Sequence, residues 1–377
     1  MKNNKSAIPD SQLEKADNIY RLADILGIQA RNVLDFRSAV NPLGVSNKVK
    51  AEIRKHLKYL RHSPDPDMMR FRKLLALYHG ITPEVLFCGD GISGLLSLLI
   101  KILSPGRLFI PWPTLHEYDP ILEEAQATGQ NTISKYYRLI EGNGFCVAPD
   151  EFTKALSGSG RQDTDNTPDV AILQNPCHLT GKRTAKDQLA AITEAARAQN
   201  CILVLDESFV DFIPDESGIR NATENHHLII LRSMTHFYSL AGFAIGYGVF
   251  PRHILERMEK IRGPWVMNSL AQRAAVAALK DKAYRKESSA LLEREKKFLE
   301  KSFRRMGLFF YDSDVNYYLI KAGNTREISL QLRRRGILVQ EVDDNREGDG
   351  SFLKVAVKTH RENALFVKAL ASVLTPA

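Results

Sequence analysis

The chain has 377 residues, 44% hydrophobic and 25% charged, with a formal net charge of +8, a globular composition sufficient for one large or two modest domains. No run of about 18 or more apolar residues occurs, which argues against a membrane span, and the polar start MKNNKSAIPDSQLEK lacks the apolar centre of a signal peptide. Cys88, Cys146, Cys177 and Cys201 show no CxxC spacing, so reduced thiols, a cytoplasmic home and no metal site are expected.

The basic residues lie beside glutamates, as in LLEREKKFLEKSFRRMG, a pattern of solvated helix faces rather than of a nucleic-acid groove. Spaced apolar residues predict helices over Asn47–Leu60 and Asp67–His79. Apolar strands and helices then alternate. VLFCGD, RLFIPWP, DVAILQNP and CILVLDESF read as strands; ISGLLSLLIKIL, EYDPILEEAQATG and AKDQLAAITEAARAQN read as helices. HLIILRS and AIGYGVF complete a mostly parallel sheet buried on both faces. LSGSGRQDTDNTPD (156–169) reads as a polar loop. Beyond GPWVMNSLAQ, a long helical region from Ser269 to Met306 leads into VNYYLIKAG, a helix ending at Arg333, ILVQEV, FLKVAVK and a last helix. That is a smaller α+β domain.

In open α/β sheets, ligands bind beyond the carboxyl ends of the strands. Four segments fall there. CGDGISG (88–94) is a glycine turn opening a helix, with Gly91 and Ser93 at its start; its free N–H groups suit a phosphate, and a plain turn explains it as well. NPCHLTGK carries Asn175 and His178 on a strand-to-loop exit. VLDESF places Asp206 at the end of a buried strand, where a carboxylate can hold a protonated ring nitrogen or cap the next turn. LRSMTHFYSLAG carries Ser233 and His236 in a small-residue turn, where the imidazole can also serve as a local hydrogen-bond partner.

In order and spacing these segments resemble the aspartate-aminotransferase superfamily, the fold-type-I pyridoxal-phosphate (PLP) enzymes. Within it the chain is most similar to the threonine-phosphate decarboxylases of cobamide synthesis, then to the histidinol-phosphate aminotransferases. The markers span nearly the whole sequence: NIYRLADILGI, NPLG (41–44), PDPDMMRFRKLLALYHGI, LDESFVDFIPDE, LRSMTHFYSLAG, GPWVMNSLAQ and RGILVQ. The resemblance implies an α/β architecture with a seven-stranded, mostly parallel sheet in a large domain (41–265). An N-terminal arm (1–40) would join a smaller α+β domain (266–377). It also implies a homodimer, and ligands of a phosphorylated amino-acid-like or vitamin-B6 kind between the domains.

The family holds PLP as a Schiff base on a lysine amine. The resemblance places His236 at that position, and imidazole is not a primary amine. His178 stands where an asparagine contacts the cofactor's phenolic oxygen, and Ala244 replaces a phosphate-gripping arginine. Ser63 replaces a tyrosine, Leu115 a ring-stacking aromatic, and Gly94 an acidic residue; Phe209 is shared with the decarboxylases. On the substrate side Gln340 and Lys354 stand for arginines, Lys354 keeping the charge but not the planar fork. Lys15-Ala16-Asp17-Asn18 replaces a His-Gly-Gly-Asn run. The cofactor-binding set that remains is Asp206, Ser233, Gly91, Ser93 and Asn175, with His178 beside them; Lys354, Asn41 and Gln340 are the substrate-side candidates.

Each charge-assisted phosphate contact contributes roughly 1.5–3 kcal/mol, so losing several together with the covalent link predicts PLP binding weakened by orders of magnitude. Three readings follow. The chain is a pseudoenzyme that binds a phosphorylated ligand or a protein, including an active paralogue, with no cofactor covalently bound. Or His236 is a general base acting with non-covalent PLP or pyridoxamine phosphate (PMP), or with no cofactor, as in certain sugar dehydratases of the superfamily. Or His236 is an engineered replacement in an active decarboxylase, which explains one change of many.

Overall fold

The computed structural model describes residues 8–113, 118, 121, 123, 132–156, 169–263, 267–342 and 352–374. Most of the expected helix EYDPILEEAQATG, most of the 156–169 loop, Leu115 and part of GPWVMNSLAQ lie outside the described residues. The chain divides into two compact units, residues 44–285 and residues 1–43 with 286–377.

Thirteen strands are described, numbered β1 to β13 in chain order. In the larger unit they are β2 (Leu86–Asp90), β3 (Arg107–Trp112), β4 (Ile133–Arg138), β5 (Val170–Gln174), β6 (Ile202–Asp206), β7 (Leu228–Ser233) and β8 (Ile245–Val249). They form one sheet in the order β2-β8-β7-β6-β5-β3-β4. Only β8 runs against its neighbours; β3 to β7 pair in parallel. The mostly parallel, seven-stranded α/β sheet expected from the sequence is therefore present.

The near-continuous apolar strands are explained by a sheet covered on both sides, because alternate residues point to opposite faces. Ala171, Leu173, Leu203, Leu205, Leu228 and Ile230 enter one core with Phe71, Leu75 and Ala271. Val170, Ile172, Val204, Ile229 and Leu231 enter the other with Leu95, Leu99 and Met258. Helix Gly91–Leu103 supplies Leu95, Leu96, Leu99, Ile100 and Ile102 as its buried stripe and stops at Ser104, whose φ of 43° leaves the helical region.

The smaller unit contains a two-stranded parallel ribbon, β1 (Leu34–Asp35) with β11 (Ile337–Leu338). Its antiparallel sheet has the order β12-β13-β10-β9, with β9 at Phe309–Phe310, β10 at Tyr317–Lys321, β12 at Gln340–Val342 and β13 at Phe352–Ala356. Helix Ile19–Leu26 starts where the Asn18 side chain accepts the N–H groups of Tyr20 and Arg21, both at 3.0 Å, an N-cap that satisfies otherwise orphaned donors. It ends at Gly27, with φ +63°. Leu22, Ala23 and Leu26 on its inner face pack with Leu13, Leu330 and Leu338.

Candidate functional site

Strands β2, β5, β6 and β7 run in one direction, so their carboxyl ends share one edge of the sheet. Asp206 ends β6 directly opposite Gln174 on β5 and Leu231 on β7. Ser233 ends β7 opposite Gly246, and Gly246 lies opposite Gly89 on β2. The topology thus gathers the four segments singled out in the sequence.

Gly91 opens its helix with φ +68°. A Cβ built on Gly246 would fall 2.5 Å from the Gly91 carbonyl, so the helix start sits directly on β8 and only glycine permits the approach. Asp90, at the N-cap, makes no side-chain capping bond. Ser93 is exposed and Ser233 is buried; Ser233 Oγ accepts the Thr235 N–H at 3.1 Å. Ala244, also left-handed with φ 47°, packs its carbonyl near Gly91 and brings no charge.

Asp206 is 1% exposed and already well supplied with donors. The Tyr118 hydroxyl donates to Oδ2 at 2.8 Å. The Ser208 N–H donates to Oδ1 at 2.9 Å, and the Ser208 hydroxyl donates to the same oxygen. His178 is fully buried with its Nε2 3.9 Å from Asp206 Oδ1, and its N–H donates to Gln174 Oε1 at 3.4 Å. The Phe209 ring joins the two histidines. It stacks on half-buried His236 with centroids 3.9 Å apart at 21°, and meets His178 edge-on at 5.2 Å. Asp206, His178, Phe209 and His236 therefore form one contiguous cluster.

Asn175 is fully buried. Its N–H donates to the Asp206 carbonyl at 2.9 Å and its Oδ1 accepts the Thr184 N–H at 2.8 Å. Its Nδ2 is the one atom of this side chain with no hydrogen-bond partner among the described residues.

A buried ion cluster fixes the same strand ends from behind. Arg232, one residue before Ser233, places Nη1 3.2 Å from Glu207 Oε2 and Nη2 2.8 Å from Asp211 Oδ1. Ser217 Oγ donates to Glu207 at 2.6 Å and accepts from Arg232 at 2.9 Å, and the Gly218 N–H donates to Glu207 Oε1 at 2.7 Å. Burial alone would lower the Arg232 pKa, but Asp211, Tyr247 and Glu207 outweigh it and raise the pKa well above its ordinary value. Burial likewise pushes Glu207 up, opposed by Arg232.

The three substrate-side candidates lie in the smaller unit. Gln340 and Lys354 are direct cross-strand partners of β12 and β13. Lys354 is buried with its Nζ 3.8 Å above the Tyr317 ring, a cation–π contact. Asn41 donates from Nδ2 to Ser288 Oγ at 2.7 Å and accepts the Leu43 N–H at 3.1 Å, bonds that shape the NPLG turn. Among the described residues no group of three or more His, Cys, Asp or Glu side chains is placed to hold a metal.

Tyr118 and Ser208 were not singled out in the sequence. Ser208 is adjacent to a candidate and carries a recoverable signal, since a serine two residues after a strand-end aspartate readily folds back on it. Tyr118 meets Asp206 across 88 residues and carries none.

This fold and this arrangement of strand ends define a class. The sequence model of the aminotransferase class I and II family matches residues 31–370, and the chain belongs to that family. It is 30% identical over 365 residues to the threonine-phosphate decarboxylase of Salmonella typhimurium, covering 95% of this chain and 96% of that protein. It is 28% identical to histidinol-phosphate aminotransferase 2 of Carboxydothermus hydrogenoformans over 99% of this chain and 98% of that one. Among solved structures, the Sinorhizobium meliloti histidinol-phosphate aminotransferase in complex with pyridoxal-5'-phosphate superposes with a TM-score of 0.81 over 95% of this chain and 94% of its own, at 19% identity. That last likeness speaks for the fold alone.

Proposed function

We propose that this chain is a divergent member of the threonine-phosphate-decarboxylase-like group that does not hold PLP through a lysine. Its strand-end site is reused as a binding site for a phosphorylated amino-acid-like ligand, in a homodimer or beside an active paralogue. The observation that carries this reading is the cluster around Phe209: an imidazole stacked on that ring, beside an aspartate already engaged by Tyr118 and Ser208. A tether needs a primary amine, which imidazole lacks. Asp206 accepts from Tyr118 and Ser208, and its Oδ2, with the Tyr118 hydroxyl as its one described donor, keeps a further acceptor site, so the misfit rests on the missing amine and on the missing phosphate cation. Ala244 offers no cation for a phosphate. The residues at this edge therefore do not fit a lysine-tethered cofactor, and no chemical step is assigned through one. The Gly91 turn and Ser233 still suit a small anion.

The test is a PLP titration of the purified protein, followed by gel filtration and an absorbance spectrum of the wild type and of His236→Lys. The expected result is no retained chromophore in the wild type and no turnover of threonine phosphate in either, because the lysine alone does not restore the phosphate contacts. Wild-type retention of PLP with turnover would end this reading. Recovery of both by His236→Lys alone would instead indicate a single altered residue in an otherwise competent site.

A second reading is favoured by the grouping of two histidines with Asp206 about one ring. There, His236 moves a proton for a non-covalently held B6 form. Saturable PMP binding and a product whose formation His236→Ala abolishes would support it; activity untouched by that replacement would remove it.

A further inference from the structure

A cation-lined cavity in the smaller unit involves none of the candidate site residues. It encloses about 790 Å³ and is lined by Arg31, Asn32, Leu34, Pro42, Arg335, Ile337, Thr359, Arg361, Glu362, Leu365 and Ala369. Neither Asn41, Gln340 nor Lys354 lines it. Its walls have two kinds of surface. Leu34, Ile337, Pro42, Leu365 and Ala369 are apolar, and Leu365 is 47% exposed. Arg31, Arg335 and Arg361 contribute three guanidinium groups.

These arginines differ from their neighbours. Arg333 is paired with Glu341 at 3.0 Å, and Arg334 with Asp10. By contrast, among the described residues none of Arg31, Arg335 and Arg361 is in an ion pair, and their one side-chain hydrogen bond runs from Arg335 Nη1 to the Gln331 carbonyl at 2.7 Å. The single carboxylate on the wall does not neutralise them. Glu362 Oε2 accepts the N–H of Thr359 at 3.1 Å and also its hydroxyl, so it is turned inward to close the start of helix His360–Leu374. Arg361, Leu365 and Ala369 are spaced four apart and share one face of that helix, which places charge and apolar surface side by side.

Three guanidiniums that form no ion pair among the described residues line one cavity, which gives its wall a positive charge suited to an anion. Planar guanidinium forks match the geometry of phosphate and carboxylate oxygens, and the volume is that of a small-molecule pocket. We infer that this cavity binds a phosphorylated small molecule with an apolar or aromatic body, its phosphates on Arg31, Arg335 and Arg361 and its body on Leu34, Ile337 and Leu365. The inference is independent of what occupies the strand-end site.

Isothermal titration calorimetry of the full chain with adenosine diphosphate, pyrophosphate and adenosine tests it. Adenosine diphosphate should bind saturably, once per chain, pyrophosphate more weakly, and adenosine not measurably. Arg31→Ala and Arg361→Ala should each weaken adenosine diphosphate roughly tenfold or more, the loss expected for a charge-assisted contact. Leu365→Asp should weaken adenosine diphosphate more than pyrophosphate. All three positions are at the surface, and far-ultraviolet circular dichroism verifies that each variant is folded. The inference is overturned if neither phosphate probe binds at about millimolar concentration, if binding survives both arginine replacements unchanged, or if an acidic peptide such as oligoglutamate binds there in preference to either probe.

Discussion

Arg232 shows how much rests on a single side chain behind the strand ends. It is 1% exposed, and its two carboxylate partners, Glu207 and Asp211, are also buried. Breaking such a pair from one side leaves the other charges in a poorly solvating interior. Arg232→Met should therefore destabilise the fold by about 3–5 kcal/mol, read as a lower denaturant midpoint, whereas an exposed pair such as Arg252–Glu256 contributes within about 1 kcal/mol. A midpoint unchanged in Arg232→Met would show that the cluster is dispensable. His79 carries a pH dependence. It is bonded to the Tyr247 hydroxyl at 2.9 Å, and burial, then the charges of Arg232, Arg285 and Arg220, lower its pKa from 6.5 to about 2. The folded state thus keeps this imidazole neutral while the unfolded chain takes up a proton below 6.5. The sign is fixed: this contribution is intact above 6.5, falls as pH drops below it, and is lost progressively down to about 2. Between that upper value and about pH 5 it amounts to about 2 kcal/mol of lost stability. His79→Gln should flatten the fall in Tm over that interval, and a variant with the wild-type slope would contradict the assignment. At this scale the candidates Asp206, His178 and His236 were legible because each ends or follows an apolar strand. Tyr118 was not, because nothing local marks a tyrosine that bonds a residue 88 positions away.

At the scale of elements, the apolar strands and amphipathic helices were readable, and the misses have specific causes. Strand β4, ISKYYR, is an edge strand that among the described residues pairs only with β3, and none of its residues is fully buried, so it lacks the apolar run that marks its neighbours. The helical region from Ser269 to Met306 is two helices, Ser269–Leu279 and Lys282–Arg305. Asp281 interrupts it, accepting the Tyr284 N–H at 3.4 Å and pairing with Lys48 at 3.0 Å. ILVQEV splits as well, because Ile337–Leu338 pairs with β1 while Gln340–Val342 pairs with β13; a strand that changes sheets has no sequence signature of its own. The contact of Gly246 with Gly91 makes a sharper prediction. A methyl on Gly246 meets backbone rather than a yielding side chain, so Gly246→Ala should cost about 1–3 kcal/mol and displace the start of helix Gly91–Leu103. Denaturant unfolding and amide exchange of Ile92 to Leu95 measure both. Unchanged stability and protection would mean that the close approach is not required.

For the whole molecule, the order of segments carried the family and the sheet, since an alternation of strands and helices under the usual right-handed crossover rule leaves few alternatives. The chemistry is less legible. Whether the site is silent or altered depends on what its side chains touch, and only coordinates place Tyr118 and Ser208 on Asp206. Among the described residues no helix is long and apolar enough to cross a membrane. On the proposed function, no lysine of this chain carries the vitamin. Borohydride reduction of the protein after incubation with excess PLP, followed by intact-mass and peptide mass spectrometry, tests it most directly. The expected product is an unmodified chain apart from scattered substoichiometric labelling of surface lysines. Stoichiometric pyridoxyl labelling of one lysine, blocked by threonine phosphate, would contradict it.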